Sequence, residues 1–331
     1  MARKDFNVIV SKEELATTSK GFSRLLLLDD KNEIPLTYIK RYEDIKDIEV
    51  GENGDVKKML EDIFKQSLRP EVVLVAGSEG DLVELFEKVF KQDGDFFYVA
   101  TVGNVAETNK ALAQAVVERD KMFGVTVATE EAGTAFIESI GEAKRELLAV
   151  GLHEKEDARL GQLLLAKAAG VAPGKATMKF QNIMGIGPSK YAVELEALHE
   201  KGMFTYKKEQ KRLMTSEGIA GDGEYLDVVI GKYFIKTRIE EDASELAYTT
   251  ANRGSKITYD DDGIAQLVGV VSGVGDEVAD NDLITEYDID FKRRAETSVK
   301  DRANRFYNGI NARFELKGAI HEADFYINLA Y

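Results

Sequence analysis

Residues 71–103 read EVVLVAGSEGDLVELFEKVFKQDGDFFYVATVG, and their pattern decides how the first half of the chain is built. "EVVLVAG" is a short apolar run rich in valine and closed by glycine, as expected of a strand buried on both faces. In "SEGDLVELFEKVFKQ" the residues Leu82, Leu85, Phe86, Val89 and Phe90 recur at helical spacing and line one face of a helix. "DFFYVATVG" is strand again. Strand, helix, strand with short turns is the βαβ unit of a parallel sheet.

The same grammar extends in both directions. Downstream, "AETNKALAQAVVERDK" (helix), "MFGVTVAT" (strand), "EEAGTAFIESIGEAKR" (helix), "ELLAVGLH" (strand) and "EKEDARLGQLLLAKAAG" (helix) repeat it. Upstream, "SRLLLLDD" and "DVKKMLEDIFKQSL" add a strand and a helix to the same layer. The expected fold is therefore an α/β N-terminal body, a mostly parallel sheet covered by helices. After "GVAPGKATMKFQNIMGIGPS" the order changes to α+β. "ATMKFQNI" reads as a strand, "KYAVELEALHEKG" as a helix and "MFTYKKEQKRLMTS" as a hairpin. A Gly-rich turn leads to a long helix from Glu224 to Tyr248, with Val228, Ile235, Ile239 and Leu246 on one face. A second helix runs from Asp260 to Ala279, followed by the strand "ITEYDIDFK", a short helix at "SVKDRAN" and closing strands. The expected division is an N-terminal arm and linker (1–20), an α/β domain (21–202), an α+β domain (203–320) and a C-terminal arm (321–331).

Both ends alternate like strands in search of a sheet. Phe6, Val8 and Val10 share one parity near the start. At the other end Phe314, Leu316 and Ile320 share one parity, and Ala323, Phe325, Ile327 and Leu329 the other. A strand's side chains repeat every second residue, so the change of parity places a bulge, bend or joint at His321–Glu322. The two ends either add to a neighbour's sheet or pair with the chain's own.

Composition narrows the function. The 331 residues are 44% hydrophobic and 31% charged, ordinary for a soluble globular protein large enough for about two domains. No apolar run approaches the roughly 18 residues of a membrane span, and the polar N-terminus does not read as a signal peptide. The chain has no cysteine, which excludes disulfides and thiol chemistry and fits assembly in a reducing cytoplasm. A net charge of -15 argues against nucleic acid as main partner, because phosphate binding needs clustered Lys and Arg.

Candidate chemistry is thin. Ser78 sits between strand and helix in Ala76-Gly-Ser-Glu-Gly80, one residue short of a nucleophile elbow. A helix cap, with Ser78 as N-cap and Asp81 three residues on, explains the same residues. His153, His199 and His321 are each followed by Glu, and none has the context of a general base. At Lys175 a phosphate loop would need four residues between its glycines and a hydroxyl after the lysine. Gly170 and Gly174 enclose three, and Ala176 follows. Gly273–Gly275 lacks the third glycine of a dinucleotide fingerprint. Asp260–Asp262 lacks the terminal Glu of a calcium loop, since Val271 holds the twelfth position. The expectation is a protein that is not an enzyme and uses no cofactor or metal.

Four segments in order, "GKATMKFQNIMGIGPS" (174–189), "SKITYDDDGIAQL" (255–267), "SVKDRANR" (298–305) and "ARFELKGAIHEADFYINL" (312–329), resemble the tail sheath proteins of contractile bacteriophages and related injection systems. The DRANR helix and the GAIH strand are the most telling pair, and the resemblance spans about residue 174 to the end. It implies a structural subunit that polymerises as stacked helical, hexameric rings around a tail tube and contracts to drive the tube through a host envelope. Implied partners are further copies of the chain, the tail tube protein, the baseplate and the tail terminator, with no nucleic acid and no membrane insertion. Implied location is the virion, assembled in the bacterial host cytoplasm, in a phage or a prophage-derived particle. The terminal arms would carry Phe6, Val8, Val10, Phe325, Ile327 and Leu329 into sheets of neighbouring subunits, with His321 and Glu322 as joint. Lys292, Arg293, Arg294 and Lys300 would face the tube, where a plain solvated basic face is the alternative. The chain is compact for such a protein, and Gly269, Gly273 and Gly275 interrupt its second long helix. That helix either packs closely on a neighbour or ends near Ser272. A Ser78 hydrolase and a non-contractile virion structural protein are the other two readings.

Overall fold

The computed structural model describes residues 18–49, 54–103, 106–155 and 157–322. After a 3-10 turn (Thr18–Ser23), the body runs β1 (Arg24–Asp29), β2 (Ile34–Ile39), α1 (Asp55–Lys65), β3 (Val72–Gly77), α2 (Leu82–Gln92), β4 (Tyr98–Thr101) and α3 (Ala106–Glu118). It continues with β5 (Met122–Val127), α4 (Glu130–Glu138), β6 (Leu148–Leu152), α5 (Leu160–Ala168), α6 (Leu195–Glu200), β7 (Met203–Glu209) and β8 (Arg212–Thr215). One eight-stranded sheet results, in the order β2-β3-β1-β4-β5-β6-β7-β8. Its six inner strands are parallel, and β2 and β8 close the two edges antiparallel. The apolar runs predicted as doubly buried strands are so: Leu25–Leu28 and Val73–Val75 are fully buried.

The sheet exceeds the sequence reading at both edges. β2 ("IPLTYI") contains Pro35, which cannot donate to a ladder and is at home on an edge strand. Its pairing with β3 is irregular between Ile34 and Thr37, around that proline. At the far edge, β7 pairs with β6 in register Val150↔Met203, so the hairpin is part of the body sheet and the expected division after residue 202 falls inside it.

Three predicted elements differ. The strand expected over "ATMKFQNI" is irregular, because Phe180 adopts a left-handed φ of 63°. Its polar groups instead cover the β8 edge, with Gln181 N–H donating to Thr215 Oγ1 and Asn182 Nδ2 donating to the Leu213 carbonyl. The helix of "EKEDARLGQLLL" begins only at Leu160, after Arg159 in the left-handed region at φ 51°. That of "KYAVELEALHEKG" shrinks to α6, because Glu154 Oε2 accepts from Ser189 Oγ and Lys190 N–H and holds the preceding turn.

Helix α5 is buried all round, which explains its weak amphipathic signal. Its backbone lies directly on the sheet. A Cβ on Gly161 would stand 2.1 Å from the Val125 carbonyl oxygen, and one on Gly151 would stand 2.8 Å from Gly161 N.

The second unit starts with α7 (Leu226–Asn252), 27 residues and so about 40 Å long. Of the predicted stripe only Ile235 is buried; the first half is buried more broadly, by Leu226, Val229, Ile230, Tyr233 and Phe234. Phe234 meets Phe22 edge-on at 5.3 Å, joining α7 to the body. Helix α8 (Asp261–Asp280) is capped by Asp260, whose side chain accepts from Gly263 N–H, and it runs uninterrupted through all three glycines. It is tied to α7 by Arg238, whose guanidinium grips Glu277 at 2.9 Å. β9 (Ile284–Phe291), the short helix α9 (Val299–Ala303) and β10 (Ile310–Leu316) complete the chain, with β9 and β10 forming a separate antiparallel pair. The strand expected to end near Ile320 thus ends at Leu316.

Candidate functional site

The β9–β10 pair is a ribbon with one covered face. Tyr287, Ile289 and Phe291 stand opposite Phe314, Ala312 and Ile310, and Tyr287 stacks on Phe314 at 6.0 Å. The Tyr287 ring lies on Gly275 of α8, where a Cβ would come within 2.7 Å. Its hydroxyl donates to Asp276 Oδ1 at 2.6 Å. That contact answers the glycine question for position 275: the helix continues because its neighbour approaches. Gly269 and Gly273 face open space. The other face of the ribbon is solvent-exposed, with Glu286, Asp288 and Asp290 opposite Glu315, Arg313 and Asn311. Each of the two strands has the other as its only ladder partner among the described residues, so both outer edges present open main-chain groups.

The loop between β9 and β10 carries the four cations singled out from sequence. Lys292, Arg293, Arg294 and Lys300 are all exposed, and none is held in a salt bridge among the described residues. A fifth exposed cation, Arg305, follows with a left-handed φ of 53°. The loop is shaped from beneath. Arg302, in the DRANR helix, donates to the carbonyls of Arg294 (3.0 Å) and Thr297 (2.7 Å). Tyr307 Oη donates to the Lys292 carbonyl, and Arg294 N–H donates to Asp261 Oδ1. The Ser298 hydroxyl caps α9 through Asp301 N–H. Arg302, Tyr307 and Asp261 thus hold the loop from beneath, with Arg302 turned inward, while five cations face solvent.

Phe6, Val8 and Val10 at one end, and Phe325, Ile327 and Leu329 at the other, lie outside the described residues. Of the expected joint, Glu322 is exposed, 3.9 Å from Lys179 Nζ. His321 is not a free joint residue. Its ring is seated in the body: Nε2 is 2.8 Å from Thr177 Oγ1, Nδ1 is 3.1 Å from Glu217 Oε1, and Tyr225 meets it edge-on at 4.9 Å. Glu217 is in turn bonded to Lys179 at 2.8 Å, an ion pair almost wholly buried. The polar residue at the parity break was the sequence signal for this socket; its partners Thr177, Glu217 and Tyr225, far upstream in the chain, had none.

Ser78 is not the cap of α2. The cap of α2 is Asp81, accepting from Val83 N–H. Ser78 Oγ donates to Glu33 Oε1 and accepts from Gly80 N–H, so it shapes a turn. The histidines are engaged elsewhere: His153 with the Gly187 carbonyl, His199 with Ser216, and His321 with Thr177. Burial lowers the pKa of His199. A cavity of about 300 Å³ at the junction of body and α7 is lined by Phe96, Phe97, Lys121, Tyr233 and Lys236. There Lys121 Nζ donates to the Gly94 carbonyl, and burial pushes its pKa down to about 8 against the pull of Asp95 and Asp120. Among the described residues no group of three or more His, Asp or Glu side chains is placed to hold a metal ion, and no helix is long and apolar enough to cross a membrane.

Neither a protein-family model nor a curated protein sequence matches the chain. Among solved structures, the fold is similar to that of a chain in the cryo-EM structure of the anti-feeding prophage (AFP) baseplate, 6-fold symmetrised. The TM-score is 0.70 over 100% of both chains, at 10% sequence identity. The likeness therefore concerns the fold, a mostly parallel eight-stranded sheet with helices followed by a small antiparallel ribbon, and it runs the full length of the molecule.

Proposed function

We propose that this protein is a structural subunit of a contractile, phage-tail-like particle, and specifically its tail sheath. One observation carries the reading: a two-stranded ribbon whose two edges are open among the described residues belongs to a chain whose two ends both carry strand patterns. An isolated pair of strands is marginal in water, and adding a strand on each side satisfies its main-chain groups. The first and last segments of neighbouring copies are the strands that fit, through Phe6, Val8 and Val10 on one side and Phe325, Ile327 and Leu329 on the other. Each hydrogen bond contributes about 0.5–1.5 kcal/mol, so several per arm, repeated over a polymer, hold copies together while their bodies rotate. Such contacts are head-to-tail and generate hexameric rings or helices. The loop of Lys292, Arg293, Arg294 and Lys300 supplies a positive face on a chain of net charge -15, suited to a negatively charged tail tube. Contraction then amounts to rigid bodies passing between two packings, with no nucleotide consumed.

A second reading is a baseplate component or other non-contractile virion protein, favoured by the source of the structural neighbour. Negative-stain electron microscopy separates them. The full chain should form striated hollow tubes, alone or on added tail tubes, and a chain lacking residues 1–12 and 322–331 should not. Full-length protein that stays dispersed even with tail tubes present removes the sheath reading and leaves the baseplate one.

A further inference from the structure

We infer that the root of the C-terminal arm is fastened to the α/β body by His321, so that the swivel lies in Gly318–Ile320, upstream of the parity break. This rests on the reading of residues 323–331 as an arm. The last ladder contact of the ribbon is followed by Lys317, which is tied to the ribbon's base by its N–H, donating to the Leu283 carbonyl at 2.9 Å, and by Nζ, donating to Asp282 Oδ1 at 2.9 Å; Gly318 N–H then donates only locally, to the Leu316 carbonyl. Residues 317–320 are then all exposed, with Ile320 at 85% and nothing within 4 Å of the position a Cβ on Gly318 would take. Burial resumes at one side chain, His321, 11% exposed.

The walls of its socket are parts of the sheet framework. Thr177 Oγ1 accepts from Lys179 N–H, and the Met178 carbonyl between them accepts from Thr215 Oγ1 of β8. Glu217 follows Ser216, whose N–H donates to the Thr205 carbonyl of β7. Tyr225 and Phe180 bracket the imidazole edge-on at 4.9 and 6.1 Å. Glu217 Oε1 and His321 Nδ1 have no hydrogen bond of their own, so within the socket each is the other's nearest polar complement, at ion-pair distance. Two pieces are therefore joined by the exposed residues 318–320: the ribbon, carried by α8, and the arm root, carried by β7, β8 and the start of α7. A strand leaving at Glu322 takes its direction from the body and not from the ribbon beside it in sequence. His321 is a positioning residue: it aims the arm that the neighbour receives.

The absence of cysteine makes the test direct. Spin labels are placed at Ile320→Cys and, on the exposed face of α2, at Lys88→Cys in the full chain. Pulsed electron paramagnetic resonance should give a narrow distance distribution that roughly doubles in width in His321→Ala and in Thr177→Val, and returns in Thr177→Ser. A control pair with Arg313→Cys in place of Ile320→Cys should stay narrow throughout, and circular dichroism should show each variant folded. A distribution already broad in the parent, or one untouched by both substitutions, overturns the inference. The measurement is independent of polymerisation. A chain that never forms tubes but shows the His321-dependent width keeps the anchor and loses the sheath; tubes with a His321-independent width do the reverse.

Discussion

At the scale of single residues, three glycines close together in α8 have opposite meanings, because Gly275 lies on the face opposite Gly269 and Gly273. Gly275 of α8 admits the Tyr287 ring, whereas Gly269 and Gly273 face nothing within 4 Å. Gly275→Ala should destabilise by about 1–3 kcal/mol through overpacking, and Gly269→Ala or Gly273→Ala should stabilise by about 0.4–1 kcal/mol, read from urea midpoints. Lys121 gives a pH test. Burial holds its pKa near 8, below the ordinary value of 10.5, so between those values the unfolded chain binds the proton more tightly. Stability contributed at this site therefore rises with pH across that window. Lys121→Met should lose ground to the parent protein as urea unfolding is repeated from pH 8 to 10.5, and a difference independent of pH would remove the argument. The Lys179–Glu217 pair is buried, so Lys179→Met should be destabilising by about 3–5 kcal/mol, most of it regained in the doubly apolar Lys179→Met/Glu217→Leu. The three glycines stood out in the sequence, though not which of them a neighbour approaches; Lys121 and the Lys179–Glu217 pair did not stand out at all. A lysine between Asp120 and "MFGVTV" looks like any surface cation, because what buries it, α7, begins over a hundred positions later.

At the scale of elements, what could be read followed from local periodicity. Strands β1 and β3–β6 and the hairpin β7–β8 fall where short apolar or alternating runs place them, and α1, α2, α7 and α8 follow their helical patterns. Failures came where one backbone angle or one side-chain bond overrode the pattern, as at Phe180, Arg159 and Glu154. β2 was missed because Pro35 argues against a strand unless its edge position is known. The ribbon is the element least able to stand alone. Phe314→Ala removes the ring stacked on Tyr287 and should cost about 1.5–3 kcal/mol. Hydrogen exchange should then quicken in β9 and β10 while the amides of β1, β4 and β5 keep their protection; uniform quickening would mean that the ribbon is no separate unit.

At the scale of the whole molecule, charge and connectivity matter more than any single contact. Reversing Lys292, Arg293, Arg294 and Lys300 to Glu breaks no salt bridge among the described residues, so the urea midpoint should shift by no more than about 0.5 kcal/mol equivalent. The same change should abolish decoration of purified tail tubes, scored by electron microscopy. Unimpaired decoration would leave the loop as a plain solvated face. The cluster was legible as four cations in nine residues; that they share one loop and that Arg302 is turned inward to shape it needed the structure.

Helix α7 gives this arrangement a mechanical character. Residues 226–235 are clamped in the body while the remaining residues, 236–252, project about 25 Å, with Arg238 near their start holding α8. In an engineer's terms it is a cantilever with a built-in root. A load applied at the ribbon reaches the root of α7 as a bending moment, and the Phe22–Phe234 and Phe97–Tyr233 contacts resist it together with Leu283, the buried residue at the ribbon's base that packs on Gly231.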